Sequence, residues 1–275
     1  NCLFSQCESE TGGAVYLDEN DKVQYEITIN RCVFEKCTAP SGSAMYGQIY
    51  KFELANTVFD GLNGEKVADP NHKPTLLYIN LKTEGADTTV NNCTFNNNNQ
   101  FIQFISSTSK LTPGSITTFT KCNFNNNCRI ASSLTLLQLD YIQSETINFE
   151  SCIFKHNGGR CIIQESDTIS NVNIKKCEFS YNNGTAGCAI CVTTASSEHK
   201  MIVEDCKFSY NSPTQRLIGY HGAVVAASNS INFVGKNTFD HNSLSNDLPL
   251  DTDERQMTFG ASLVITQDTP EEYTI

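Results

Sequence analysis

The residues with the most chemical potential in this 275-residue chain are its thirteen cysteines. A thiolate can hold zinc, pair into a disulfide or act as a nucleophile, and spacing separates these roles. Zinc sites are built from repeated close pairs of ligands. Cys188-x-x-Cys191 is the one C-x-x-C, it has no second such pair, and Ala189 and Val192 pack in the same strand-type segment. The expectation is therefore small buried thiols, with no metal and no cofactor. Two histidines, His156 and His241, stand at a position held elsewhere by Tyr181, Tyr210, Gln6 and Lys36, which reads as an ordinary exposed site. The acidic cluster Asp247, Asp251, Asp253 and Glu254, with Arg255, reads as solvated loop charge. Asn92-Cys93-Thr94 and Asn183-Gly184-Thr185 have the form of glycosylation sequons, making Asn92 and Asn183 possible acceptors.

Composition narrows the partners. The formal net charge is −11 with no basic run. Counterion release at nucleic acid and attraction to an anionic bilayer both need clustered Lys and Arg, so neither partner is expected. No apolar run reaches the roughly eighteen residues of a membrane-spanning helix. The chain opens inside a repeat, at Asn1-Cys2-Leu3-Phe4, and reads as a piece of a longer protein whose signal or anchor lies elsewhere.

The cysteines fall into a repeat. Phe recurs at Phe4, Phe34, Phe59, Phe95, Phe124, Phe154, Phe179, Phe208 and Phe239, at intervals of 25 to 36 residues. Two residues earlier stands Cys2, Cys32, Cys93, Cys122, Cys152, Cys177 or Cys206, with Thr57 and Asn237 in the other two repeats. Three residues after the Phe comes Asn98, Asn127, Asn157, Asn182, Asn211 or Asn242, replaced by Cys7, Cys37 and Leu62 in the first three repeats.

Alternating segments such as Glu26-Ile27-Thr28-Ile29-Asn30 precede each Cys, and segments such as Cys188-Ala189-Ile190-Cys191-Val192 follow later in the unit. Period two means strand. A unit this short closes no core alone, but equivalent strands stacked in parallel bury a continuous one, each coil adding about 4.8 Å. Cys and Phe, two apart, share the inner face. The apolar position five before the Phe is offset from the Cys by an odd number, which implies a corner between them. A column of Asn can hydrogen-bond along the stack. The expected fold is all-β, a right-handed parallel β-helix of about nine coils, forming one domain over residues 1–275. Propeller units of about forty residues fit poorly, and a leucine-rich framework is missing. Cys7 and Cys37, equivalent in adjacent coils, are close enough for a possible disulfide, as are Cys2 with Cys32 and Cys177 with Cys206, although side chains stacked in register point in parallel. The third coil, with Thr57, Leu62 and a long insertion, is expected to stack least faithfully.

Gly12-Gly13-Ala14-Val15 is a G-G-A-[ILV] element, with variants at Gly42-Ser43-Ala44-Met45, Gly187-Cys188-Ala189-Ile190 and His221-Gly222-Ala223-Val224, and F-x-x-N occurs six times. Together these resemble the polymorphic outer membrane proteins, whose β-helical passengers are adhesins, and related repeat families on unicellular eukaryotes. The resemblance implies a pectin lyase-like scaffold, a location at the cell surface or outside the cell, and a protein or glycan ligand. Membrane attachment would come only through segments outside this chain. The C-x-F column is richer in Cys than such passengers, and no barrel-forming segment follows Glu271-Glu272-Tyr273-Thr274-Ile275.

Parallel β-helices also host pectate lyases and polygalacturonases, so a carbohydrate-active enzyme is the alternative. Gly219-Tyr220-His221-Gly222 resembles the Gly-His-Gly element of polygalacturonases, but the Asp-Asp, Asn-Thr-Asp and Arg-Ile-Lys elements are missing. The expectation is a non-catalytic surface protein, with a purely structural rod as a further alternative. Insertions at 63–75, 212–221 and 243–259 collect on one edge, the expected recognition face.

Overall fold

The computed structural model describes residues 1–17, 25–49, 51–63, 75–81, 87–99, 101–106, 112–127, 135–142, 144–164, 171–184, 187–192, 200–213, 224–227, 231–243 and 263–265. All regular elements among them are strands, arranged in three parallel sheets. Sheet I holds nine three-residue strands, from Leu3–Ser5 to Thr238–Asp240, each centred on the recurring Phe. Sheet II holds nine, from Val15–Leu17 to Leu263–Ile265, and sheet III eight, from Glu26–Asn30 to Ile231–Val234. The chain passes through sheets I, II and III and returns to sheet I one strand further along. This is the parallel β-helix that the repeat implies.

Register in sheet I is continuous: Phe4 pairs with Phe34, Phe34 with Phe59, and so on to Phe208 with Phe239. Strand spacing therefore sets ring spacing, and the nine phenyl rings stack at 4.7–5.0 Å, within 10° of parallel. Sheet III supplies Leu54, Val90, Phe119, Phe149, Ile174 and Val203, all buried, from the position five before the Phe. Phe149 meets Phe154 edge-on at 6.2 Å, a preferred aromatic geometry. Truncating one such fully buried ring to Ala typically costs about 3–5 kcal/mol.

The two turns flanking sheet I are made by single residues in the left-handed region. Between sheets III and I stand Arg31, Asn56, Asn92, Lys121, Ser151, Lys176 and Asp205, with φ of 50–56°, and Gly235 at 71°. After sheet I stand Gln6, Lys36, Asn97, Asn126, His156, Tyr181, Tyr210 and His241, with φ of 50–57°, and Gly61 at 64°. Left-handed geometry turns the chain sharply enough that the residues on either side, such as Ile174 and Cys177, both face inward. The first glycine of the G-G-A-[ILV] element serves a third turn. Gly12, Gly42 and Gly187 have φ of 63–69°, and a Cβ at Gly42 would sit 2.2 Å from the Met45 carbonyl oxygen.

The third coil stacks faithfully in sheet I, with Phe59 in the stack, Gly61 at the corner, and Thr57 and Leu62 fully buried. Its sheet II strand, Thr75–Leu81, is less regular, since register shifts where Phe101–Ser106 meets it. Irregularity is not confined to that coil: register also shifts between Phe101–Ser106 and Thr135–Ile142, and between Thr112 and Ile116 against Ser144–Glu150. These neighbours differ in length, so bulges absorb the surplus.

A left-handed non-glycine residue costs about 1–2 kcal/mol, against an entropic cost of glycine of about 0.5–1 kcal/mol. Lys176→Gly, at a left-handed corner with φ of 53°, is expected to raise stability by about 0.5–1 kcal/mol in urea unfolding.

Candidate functional site

Each corner of the coil has its own hydrogen-bonding device. After sheet I the device is the Asn column. Asn98, Asn127, Asn157, Asn182 and Asn211 are fully buried, and Asn242 is half-buried. Asn157 shows the pattern: its Nδ2 donates to the Phe124 carbonyl at 3.1 Å and to Asn182 Oδ1 at 3.0 Å. Its Oδ1 accepts from the backbone N–H of Asn127 at 3.0 Å and from Asn127 Nδ2 at 3.1 Å. The set repeats through Asn182, Asn211 and Asn242, with Leu62 N–H donating to Asn98 Oδ1 at the near end. The column thus satisfies backbone groups that a corner takes out of the sheet ladder.

Before sheet I the thiols do the equivalent work, which spacing alone did not reveal. Cys122, Cys152, Cys177 and Cys206 each place their single S–H within reach of the carbonyl two residues back and of one in the preceding coil, such as Cys152 Sγ with Glu150 O at 3.6 Å and Phe119 O at 3.4 Å. Thr57 and Asn237 substitute by the same logic: Thr57 Oγ1 donates to Ala55 O at 2.8 Å, and Asn237 Nδ2 to Val203 O at 3.1 Å. The reading of these cysteines as mere small hydrophobes is therefore incomplete, since they are weak but well-aimed donors.

The structure contains no Cys7–Cys37 disulfide. Both are free thiols, as are Cys2, Cys32, Cys177 and Cys206. Stacked in parallel, they turn to carbonyls: Cys7 to Ser5, Cys37 to Phe4 and Glu35. Cys2 and Phe4 lie at the end coil, exposed and half-buried, and Phe239 is half-buried at the other end; Cys32, Cys93 and the remaining phenylalanines of the sheet I column are buried. Cys188 and Cys191 are both fully buried, and no group of three or more metal-ligating side chains occurs among the described residues. Burial pushes the Cys188 thiol up to about 12 and raises that of Cys37. Cys177 is raised by hydrogen bonds to the Cys152 and Cys206 thiols, then by burial.

The sequon residues Asn92 and Asn183 are both exposed. Asn92 sits at a left-handed corner, and its Nδ2 donates to Asn56 Oδ1, whose own Nδ2 donates to Asn30 Oδ1. His221–Gly222, the acidic cluster from Asp247 to Arg255 and most of the three insertions lie outside the described residues.

With the interior filled, the outer columns are the surface available for function, and among the described residues two of them carry stacked aromatic rings. On sheet II, Tyr16, Tyr46 and Tyr78 stack at 5.7 and 4.6 Å. Tyr16 and Tyr46 border an open recess of about 590 Å³ with Ser9, Glu10, Thr11 and Gly12. The second column joins His156, Tyr181, Tyr210 and His241 at 5.1, 5.0 and 4.9 Å. Tyr181 and Tyr210 are 45% and 44% exposed. The sequence placed these four in one column but treated it as unremarkable; four successive ring-bearing residues at that position was the available signal.

Residues 75–200 match the family model described as the right handed beta helix region. Neither a curated protein nor a solved structure matches the chain. Sheet topology and this match together define an all-β, right-handed parallel β-helix.

Above the ordinary thiol value of 9.0, an unfolded chain releases thiol protons that folded Cys188, Cys37 and Cys177 keep. The folded state then binds more protons than the unfolded one, so stability falls with rising pH. Urea midpoints are expected to decline steadily from pH 9 toward pH 12, where Cys188 titrates in the fold. At pH 8, maleimide should label Cys2 and Cys7 among the described cysteines and reach the buried columns only after unfolding, as mass spectrometry would show.

Proposed function

We propose that this β-helix is a non-catalytic repeat protein of a cell surface or extracellular face that presents its outer columns to protein or glycan ligands. The polymorphic outer membrane proteins, which its G-G-A-[ILV] and F-x-x-N elements resemble, are the pattern for this reading. The observation that carries it is the exposed ring column His156–Tyr181–Tyr210–His241, held in register on the outside of a rigid scaffold. Aromatic residues are enriched in recognition surfaces because they offer large contact area at low conformational cost. Regular strand pairing beneath fixes their spacing without any ligand present, so little ordering entropy remains to be lost on binding. Attachment to a membrane would belong to segments outside this chain.

The family match is also compatible with a carbohydrate-active enzyme, and a rod within a larger assembly would need the same core. Immobilised chain should retain host or environmental cells saturably, while incubation with polyuronides and neutral glycans should release no new reducing ends or unsaturated products. Detectable cleavage would replace this reading with the enzyme, and failure both to bind and to cleave would leave the rod.

A further inference from the structure

The His156–Tyr181–Tyr210–His241 column has a geometry that selects among ligands. All four residues stand at left-handed corners, with φ of 55°, 57°, 55° and 50°, so their side chains leave the coil in one direction. Their rings lie face to face, 25°, 3° and 15° from parallel, and the inner faces are covered by neighbouring rings. What the two tyrosines offer outward is ring edges and phenolic hydroxyls, which both donate and accept. The repeat is even, 5.1, 5.0 and 4.9 Å, unlike the 5.7 and 4.6 Å of the Tyr16 column.

Neighbouring groups extend the row. Lys155 Nζ lies 5.5 Å from the Tyr181 ring centre, and His241 Nδ1 lies 2.6 Å from Asp240 Oδ1. Ser180, adjacent to Tyr181 on the outer side of its strand, is 1% exposed, and its Oγ has no hydrogen-bond partner. It shares this with Asn96 Oδ1 and Asn125 Oδ1, which also directly follow the column Phe in their coils.

An extended peptide running along the column rises about 3.3–3.4 Å per residue, or nearly 7 Å per same-face pair. It would lose register with a 5 Å row within two coils. Polyanions, whether nucleic acid or polyuronide, meet a chain of net charge −11. One sugar of an extended β-(1→4)-linked chain, by contrast, spans close to one coil spacing. Each residue of such a chain would meet an equivalent ring edge and hydrogen-bonding group.

We propose that this column is a binding site for a neutral β-(1→4)-linked hexopyranose chain lying parallel to the solenoid axis, one sugar per coil across four coils. The proposal rests on the surface-display reading and names its ligand class.

Calorimetric titration with cellotetraose, chitotetraose and β-mannotetraose, their disaccharides, maltotetraose and tetragalacturonate tests it. At least one neutral β-linked tetrasaccharide should bind tenfold or more tighter than its disaccharide, and maltotetraose and tetragalacturonate should bind at least tenfold more weakly than that tetrasaccharide. Tyr181→Asn/Tyr210→Asn copies the residues that Asn97 and Asn126 supply at the same left-handed corner, so the fold should persist by circular dichroism while binding drops at least tenfold. Tyr181→Phe/Tyr210→Phe keeps the rings, and should also weaken binding because the hydroxyls are the recognition groups. Absence of binding by all three β-linked tetrasaccharides, equal binding of maltotetraose, or indifference to both double variants would overturn the proposal. Cell retention by wild type that survives Tyr181→Asn/Tyr210→Asn would sink this site and leave surface display standing. A wild type that retains no cells and binds no glycan would remove both.

Discussion

Every coil of this protein must sit one strand spacing from the next, and that single repeat governs everything else. Sheets I, II and III tolerate the repeat easily because parallel pairing is the same at every step. Corners are harder, because a turning chain takes its N–H and C=O groups out of the ladder. The amides of Asn98 to Asn242 and the thiols of Cys122 to Cys206 restore those bonds. Because each side chain bonds to the neighbouring coil, the corners as well as the strands tie coils together. The phenyl stack follows from the same spacing, with rings 4.7–5.0 Å apart that are set by backbone register rather than by their own preferred offset.

The two corner columns differ in what they demand. An amide offers a donor and an acceptor, so each Asn meets both the carbonyl before it and the N–H beside it. A thiol offers one weak donor and little acceptor capacity, so the Cys column sits where a carbonyl most needs a partner. Asn237 in that column, accepting from the Cys206 N–H at 2.9 Å, shows that an amide also fits. A carboxylate in the Asn column would fit poorly. Asn157→Asp would lose both donors, to the Phe124 carbonyl and to Asn182, and bury either a charge or a misdirected proton. A loss of about 3 kcal/mol or more in unfolding free energy is expected from denaturant titration.

Much of this was legible in the residues. The Cys, Phe and Asn columns announced the period, and the odd offset between Ile174 and Cys177 announced a corner. Three things were not. Lys121, Ser151 and Tyr181 carry no local mark of left-handed geometry, which is imposed on them by the sheets on either side. Thr57 looked like a fault in the third coil because hydrophobicity was the criterion; as a hydrogen-bond donor it is equivalent to the thiol it replaces. Cys7 and Cys37 met the distance condition for a disulfide, yet their parallel side chains turned to carbonyls instead. The ring column from His156 to His241 was visible as residue types, but its even spacing and edge-out presentation needed coordinates.

The left-handed corners have a consequence for how such a protein can change over time. Their φ is dictated by the coil, while their side chains leave it, so shape is strict and chemical identity is nearly free. Gln, Lys, Gly, Asn, His and Tyr all occupy the column after sheet I. A lineage could therefore rewrite one coil's outward letter by a single codon change without disturbing the core beneath it. The solenoid then behaves as a ruled margin, on which successive coils keep the line spacing and selection alters the text.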